Sequence, residues 1–398
     1  VPFVDDIPVS DLAPLINQSY STFDHARVSP LVKVADIHVL ELFHGPTLAF
    51  KDIALQLLGN LFGHILLKTD STLNILGATS GDTGSAAIAG VRSKPGINIF
   101  IMFPEGRTSL IQELQMTTVL DQNVFSIAVD GSFDDCQKLM KTVFNDLEFK
   151  SSYGLGAVNS VNWARVLAQI VYYFSAWFQL QRPTEFDVTV PTGNFGDVYA
   201  GYLSKKMGLP IGKLLVATNQ NDILHRIISQ GQMTMNKVEH TFSPSMDIQV
   251  ASNFERQLFE IFNNNSDSIE DVMREFQNNK SYTLSKSIIS VLQEIYSSAS
   301  VSDELTLTTI KLFNDKYKYL ADPHTATGLS LLDQYSSDHP LVSLACAHPA
   351  KFGSAIKKAI GESPSFPKEL KNIFDKEEKM TILKNNTNLI KSHILELL

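Results

Sequence analysis

The chain is 398 residues long, beyond the size at which one hydrophobic core usually keeps growing, so two packed units are the default expectation. Its composition, 44% hydrophobic and 19% charged, supplies a large core, while a formal charge of -9 and a pI near 5.6 exclude nucleic acid or an anionic membrane as the main partner. Cys136 and Cys346 are the only cysteines and form no CxxC pair, which excludes a zinc ribbon, argues against a disulfide framework and leaves a reduced, cytoplasmic compartment as the expectation, with no metal site.

The first ten residues, VPFVDDIPVS, begin without Met and have neither a basic nor an apolar signal region, so a fragment or processed chain is expected. Asp11 to Ala26 reads as a helix and a short linker. ELFHGPTLAFKD follows at residues 41–52, with Lys51 and Asp52 where the next helical pattern starts. From Asn74 the order is apolar strand, glycine loop, small-residue helix, turn and strand, a βαβ unit. VFSIAV reads as a further strand, and SFDDCQKLMKTVFNDLEF as a helix with Phe133, Cys136, Leu139, Met140, Val143 and Phe144 on one face and Ser132 with Asp135 as a capping pair. The apolar run Val166 to Leu180 is too short for a bilayer and carries Gln169 and Ser175, so it reads as a buried helix. The segment from Phe186 repeats the strand, glycine loop, helix, strand order. Between Asn263 and Asp303 the chain turns polar with no strand-like run, which predicts a peripheral helical insertion. PLVSLACAHPAKFGSAIKKAI adds another strand and helix.

Alternating strands and helices predict open, mostly parallel sheets covered on both faces. The boundaries expected are 1–33 for a remnant of an N-terminal helical segment, 34–156 for a smaller α/β domain, and 157–398 for a larger one with a helical insertion near 255–310.

Three loops carry the candidate chemistry, each read as a strand end followed by a helix start, where free N–H groups meet anions. GATSGDTGSAA, Gly77 to Ala87, lacks the GK[ST] of a Walker A loop, and no GxGxxG occurs in the chain. Thr79, Ser80, Asp82, Thr83 and Ser85 there suit a substrate carboxylate. PTGNFGD, Pro191 to Asp197, can fold round a phosphate through Gly193 and Gly196, with Asn194 donating from its side chain. DPHTATG, Asp322 to Gly328, places Pro323 in a first helical turn and Thr325 toward a cleft. Each loop alone is compatible with an ordinary turn. Lys51, preceded by Leu48, Ala49 and Phe50, sits where a cation opposes the helix dipole; burial makes such an amine a nucleophile for carbonyls. An amine in a dry pocket, a phosphate cradle and a third-loop hydroxyl together suit pyridoxal phosphate.

ELFHGPTLAFKD, GATSGDTGSAA, NSVNWAR (Asn159 to Arg165), PTGNFGD and DPHTATG, in this order and spacing, resemble threonine synthase of the fungal and proteobacterial type, within the fold-type II pyridoxal-phosphate enzymes. The likeness runs from about Asp11 to beyond HPAKF (His348 to Phe352). It implies that Lys51 carries the cofactor as a Schiff base and is the general base, that Gly193, Asn194, Phe195, Gly196 and Asp197 hold its phosphate, and that Thr325 bonds the ring nitrogen, leaving that nitrogen largely unprotonated. It also implies that the cofactor lies between the two domains and that residues 79–85 grip the amino-acid end of O-phosphohomoserine. Asn159, Arg165 and Lys351 are then candidates for substrate binding, with Arg165 and Lys351 as the phosphate clamp and Arg107 a further candidate. A supporting role is expected for His324, and none is assigned to His44 or His348. The family has an N-terminal segment that is missing ahead of Val1. A phospho-lyase yielding 2-oxobutyrate from O-phosphohomoserine or O-phosphothreonine stays open as an alternative outcome, as do a non-catalytic cofactor-binding homologue and either a monomer or a homodimer.

Overall fold

The computed structural model describes residues 3–333 and 335–398; residues 1 and 2, where the expected N-terminal segment begins, lie outside the described residues. The chain forms two compact units. Of the described residues, one is built from 3–26, 44–162 and 366–398, the other from 27–43, 163–333 and 335–365. Residues 27–43 and 366–398 thus fall on other sides of the sequence boundaries. The reason is strand pairing: Ile37–Glu41 pairs with Leu341–Ala345, and Thr381–Lys384 pairs with Val124–Asp130.

In the first unit five parallel strands lie in the order Thr381–Lys384, Val124–Asp130, Ile97–Pro104, Leu73–Ala78 and Leu155–Gly156. Their inner positions are apolar because a parallel sheet is covered on both faces. Leu76, Phe100, Met102, Ile127 and Val129 pack with Cys136, Leu139 and Val143 of the helix Phe133–Asn145 and with Ile390 and Ile394 of the C-terminal helix. Burying each large side chain contributes about 1.5–3 kcal/mol. The expected capping pair is present, since Ser132 and Asp135 cap each other reciprocally, and the helix breaks at Asp146, which caps the next short helix. Helix Val9–Tyr20 packs on helix Lys51–Thr69, where the Tyr20 hydroxyl donates to the Ile53 carbonyl at 3.2 Å.

The second unit has six strands in the order Leu31–Val34, Ile37–Glu41, Leu341–Ala345, Phe186–Pro191, Ile211–Thr218 and Tyr296–Ser300, parallel except for the first hairpin. Tyr296–Ser300 corrects the expectation of no strand between Asn263 and Asp303. Its sequence, YSSAS, lacks an apolar pattern because it is an edge strand in which only Tyr296 is buried. A second short strand there, Ser281–Thr283, pairs antiparallel with Gln232–Thr234; around these strands the region carries the expected helices Ser266–Asn279 and Lys286–Ile295, after Phe254–Ile261. A second correction concerns DPHTATG. The helix Asp303–Tyr317, not a strand, precedes its helix Pro323–Leu329. Among the described residues no helix is long and apolar enough to cross a membrane.

Candidate active site

In the first unit, the stretch ELFHGPTLAFKD ends in a turn built around Asp52. Thr47 donates to the buried Asp52 carboxylate from its N–H at 2.8 Å and from its hydroxyl at 2.7 Å. A Cβ on Gly45 would lie 2.4 Å from the Asp52 Cβ, so only glycine lets the turn close. His44 braces the entry through a 2.8 Å contact from Nδ1 to Asp24. Leu48 is held at φ +60°, a left-handed conformation that costs a side-chain-bearing residue about 1–2 kcal/mol. This turn delivers Lys51 to the first position of helix Lys51–Thr69 with 8% of the residue exposed.

The Lys51 ammonium lies 3.8 Å from Asp82 Oδ2 and 4.8 Å from the centre of the Phe50 ring. Asp82 opens helix Asp82–Val91 after strand Leu73–Ala78, and its other oxygen accepts 2.8 Å from the Gln112 amide. Gln112, which sequence reasoning missed, is 1% exposed and lies against Gly81, where a Cβ would meet its side chain at 2.5 Å. The only sequence signal was a glutamine on the inward face of the short helix Leu110–Thr117.

The five polar residues of this loop divide by what their side chains already do. The Thr79 hydroxyl accepts from the N–H groups of Gly81 and Gly84, both at 3.0 Å, and Ser85 donates to the Asp82 carbonyl at 3.2 Å. Thr79, Asp82 and Ser85 therefore shape the loop, while Ser80 and Thr83 are half-buried. Asn159 is exposed, its carbonyl closing a turn with the Asn162 N–H, and Arg107 is exposed after strand Ile97–Pro104.

In the second unit, strand Phe186–Pro191 runs into PTGNFGD and helix Gly196–Lys206. Phe195 takes φ +66° and buries its ring against Phe254 and Tyr296, so it offers the loop only its backbone. A Cβ on Gly193 would stand 3.1 Å from the Ser245 carbonyl and the Met246 Cα. Asn194 accepts at Oδ1 from Ser252 at 3.0 Å, and its carbonyl accepts from Asn253. The Asp197 carboxylate faces the hydroxyls of Tyr172 and Tyr173 at 2.5 and 2.9 Å, so any phosphate contact at this residue is through the main chain; a carboxylate repels phosphate.

Asp322, fully buried, caps helix Pro323–Leu329 and organises DPHTATG. Its Oδ1 accepts from the His324 N–H and from His324 Nδ1, both at 2.9 Å. The Thr325 hydroxyl donates to Asp322 Oδ2 and accepts from the Cys346 N–H at 2.9 Å. The proton of Thr325 is thus committed inside the protein. His324 fills its supporting role by accepting at Nε2 from the Ser245 N–H at 3.3 Å, which ties DPHTATG to the segment under Gly193. His348 caps the turn Pro349–Phe352, which carries the 1% exposed Lys351.

Arg165 stands apart. It lies in the first turn of helix Trp163–Gln179, 4% exposed, and its Nε and one terminal nitrogen are buried without a hydrogen-bond partner. Burial pulls its guanidinium down to about 10. A buried guanidinium with open donors has the chemistry to accept an anion.

Comparison with known proteins places this chemistry. The family model "Pyridoxal-phosphate dependent enzyme" matches residues 22–279, and "Threonine synthase, C-terminal" matches residues 325–394. The threonine synthase of Pseudomonas aeruginosa is 45% identical over 99% of this chain and 85% of its own length. The chain belongs to the threonine synthase family. The solved structure of threonine synthase from Brucella melitensis with bound pyridoxal phosphate superposes with a TM-score of 0.95 at 43% identity, covering all of this chain and 86% of the other. A more distant relative, human threonine synthase-like 2, is 37% identical over 96% of this chain and 81% of its own length. As a member of the threonine synthase family the chain is a pyridoxal-phosphate-dependent lyase of fold type II, acting on a small molecule.

The residues fit that cofactor within each unit. The first offers a buried lysine at the head of a helix; the second offers a glycine turn whose tightness a single Cβ would disturb, and a buried guanidinium with open donors.

Proposed function

We propose that the chain converts O-phospho-L-homoserine and water to L-threonine and inorganic phosphate. The observation that carries this reading is Arg165: two buried guanidinium nitrogens without a partner are costly unless an anion meets them, and a phosphorylated substrate provides one. Lys351 adds a second buried cation. Bound pyridoxal phosphate supplies the electron sink that acidifies the carbon beside the amino-acid nitrogen.

The chain's own residues supply the rest. Lys51 would hold the cofactor covalently through its Nζ and would carry protons at that atom. The backbone of Gly193 to Asp197 and the Asn194 side chain would receive the cofactor phosphate, and Thr325, held by Asp322 and Cys346, would donate to the ring nitrogen by turning its hydroxyl proton away from Asp322. Ser80 and Thr83, at the mouth of the GATSGDTG loop, bind the substrate carboxylate, while Thr79, Asp82 and Ser85 shape that loop. Asn159 completes the substrate set. The protein acts in the cytoplasm, as a monomer or homodimer, without nucleic-acid or membrane partners.

The test is product analysis of the protein with pyridoxal phosphate and O-phosphohomoserine. Threonine released in step with phosphate is the expected result. Phosphate matched by 2-oxobutyrate instead would reassign the chain as a phospho-lyase.

A further inference from the structure

Helix Gly196–Lys206 begins at the turn read as the cofactor-phosphate cradle, and its second residue is an aspartate. This is an awkward place for a free carboxylate. A helix start exposes N–H groups without intrahelical partners, and a carboxylate within its first turn is well placed to accept them. It would then compete with any phosphate for the same donors.

The carboxylate is instead drawn to the neighbouring helix. Tyr172 donates to Asp197 Oδ1 at 2.5 Å; Tyr173 donates to the same oxygen at 2.9 Å and contacts the Asp197 carbonyl at 3.0 Å. Both tyrosines are buried, at 2% and 1% exposure, and their rings lie 5.1 Å apart. Burial, and then the Asp197 charge, raise both phenols well above their ordinary range, so they remain protonated donors. The approach of the two helices depends on Gly201, where a Cβ would meet the Tyr173 ring at 2.8 Å. Arg165 lies seven residues before Tyr172, two turns or about 10.5 Å along the same helix. The helix that holds the carboxylate therefore also carries the open guanidinium.

We propose that Tyr172 and Tyr173 are positioning residues that hold the Asp197 carboxylate off the anion site at the start of helix Gly196–Lys206, so that its N–H groups stay available to the cofactor phosphate. This rests on the reading of residues 193–197 as the cradle. Asp197 is then retained as the anchor between two helices, and the tyrosine pair prevents it from acting as a built-in competitor.

The experiment measures dissociation constants of pyridoxal 5′-phosphate and of pyridoxal, which lacks the phosphate, for the full chain. The variants are Y172F/Y173F, D197N and their combination. Wild type should prefer the phosphorylated form. Y172F/Y173F should reduce that preference about tenfold, the scale of a lost hydrogen bond to a charged group, with pyridoxal affinity unchanged. Adding D197N should restore the preference, because the competitor has lost its charge. A brace with a purely structural role would behave oppositely, and a further loss on adding D197N overturns the proposal. So does an unchanged preference in Y172F/Y173F. Should that double variant fail to fold, Y172F alone repeats the test, since Tyr172 bonds the carboxylate and not the carbonyl. Equal wild-type affinity for the two probes would overturn the cradle reading and this proposal together; a wild-type preference that the tyrosine variants leave intact overturns this proposal alone.

Discussion

Lys51 Nζ and Asp82 Oδ2 lie 3.8 Å apart inside the first unit, their side chains 10% and 4% exposed. The separation exceeds a hydrogen bond, so the carboxylate attracts the ammonium without clamping it. Lys51→Ala should abolish turnover and the reducible covalent attachment of cofactor while far-UV circular dichroism stays native. Borohydride reduction followed by peptide mapping checks it, and a modified peptide in the variant would remove Lys51 from its role.

Arg165 gives a prediction in which stability and activity move in opposite directions. Its buried, unpartnered nitrogens cost the substrate-free protein desolvation without return. Arg165→Met should therefore raise the thermal midpoint, or leave it unchanged, while lowering kcat/KM for O-phosphohomoserine by about 100-fold, the loss expected of a charge-assisted phosphate contact worth about 3 kcal/mol. A midpoint that drops by several degrees would mean that the guanidinium is paired in the free protein.

Thr325 bonds to both Asp322 and Cys346, so its hydroxyl is structural before any ligand arrives. Thr325→Val should cost about 1–3 kcal/mol by leaving a buried acceptor and donor short of a partner, and should weaken cofactor binding. Thr325→Ser should recover both. Denaturant unfolding together with cofactor titration checks this; equal behaviour of Val and Ser would show that the hydroxyl is idle.

Gly193→Ala should loosen the cradle. Its Cβ would press at 3.1 Å on the Ser245 carbonyl and Met246 Cα, backbone that His324 holds in place, so the turn has to shift. The expected cost is about 1–3 kcal/mol of overpacking, with a rise in the cofactor dissociation constant measured by fluorescence titration. In a His324→Ala background the clamp on Ser245 is gone, and the same substitution should cost less.

Much of this protein is legible in its one-dimensional pattern. Alternating apolar strands and amphipathic helices determine a covered parallel sheet because each needs the other to bury its apolar face. The loops GATSGDTG and GNFGD are recognisable because glycine is needed where backbone must pass close to other atoms. Lys51 could be picked out as a cation at a helix start, where the dipole disfavours it, and Arg165 through the family resemblance of NSVNWAR. What the linear pattern did not reveal was how side chains spend their hydrogen bonds. Thr79 and Ser85 look like ligand donors, yet they close their own loop. Asp197 looks like part of the cradle, yet its carboxylate is turned to Tyr172 and Tyr173. Gln112 and Asp322 act through Asp82 and Thr325, and the strand Tyr296–Ser300 hides in a polar stretch because an edge position buries little. Those outcomes depend on partners up to tens of residues away in the chain. Local pattern and spacing determine which groups are available, and only tertiary packing decides which of them are already taken.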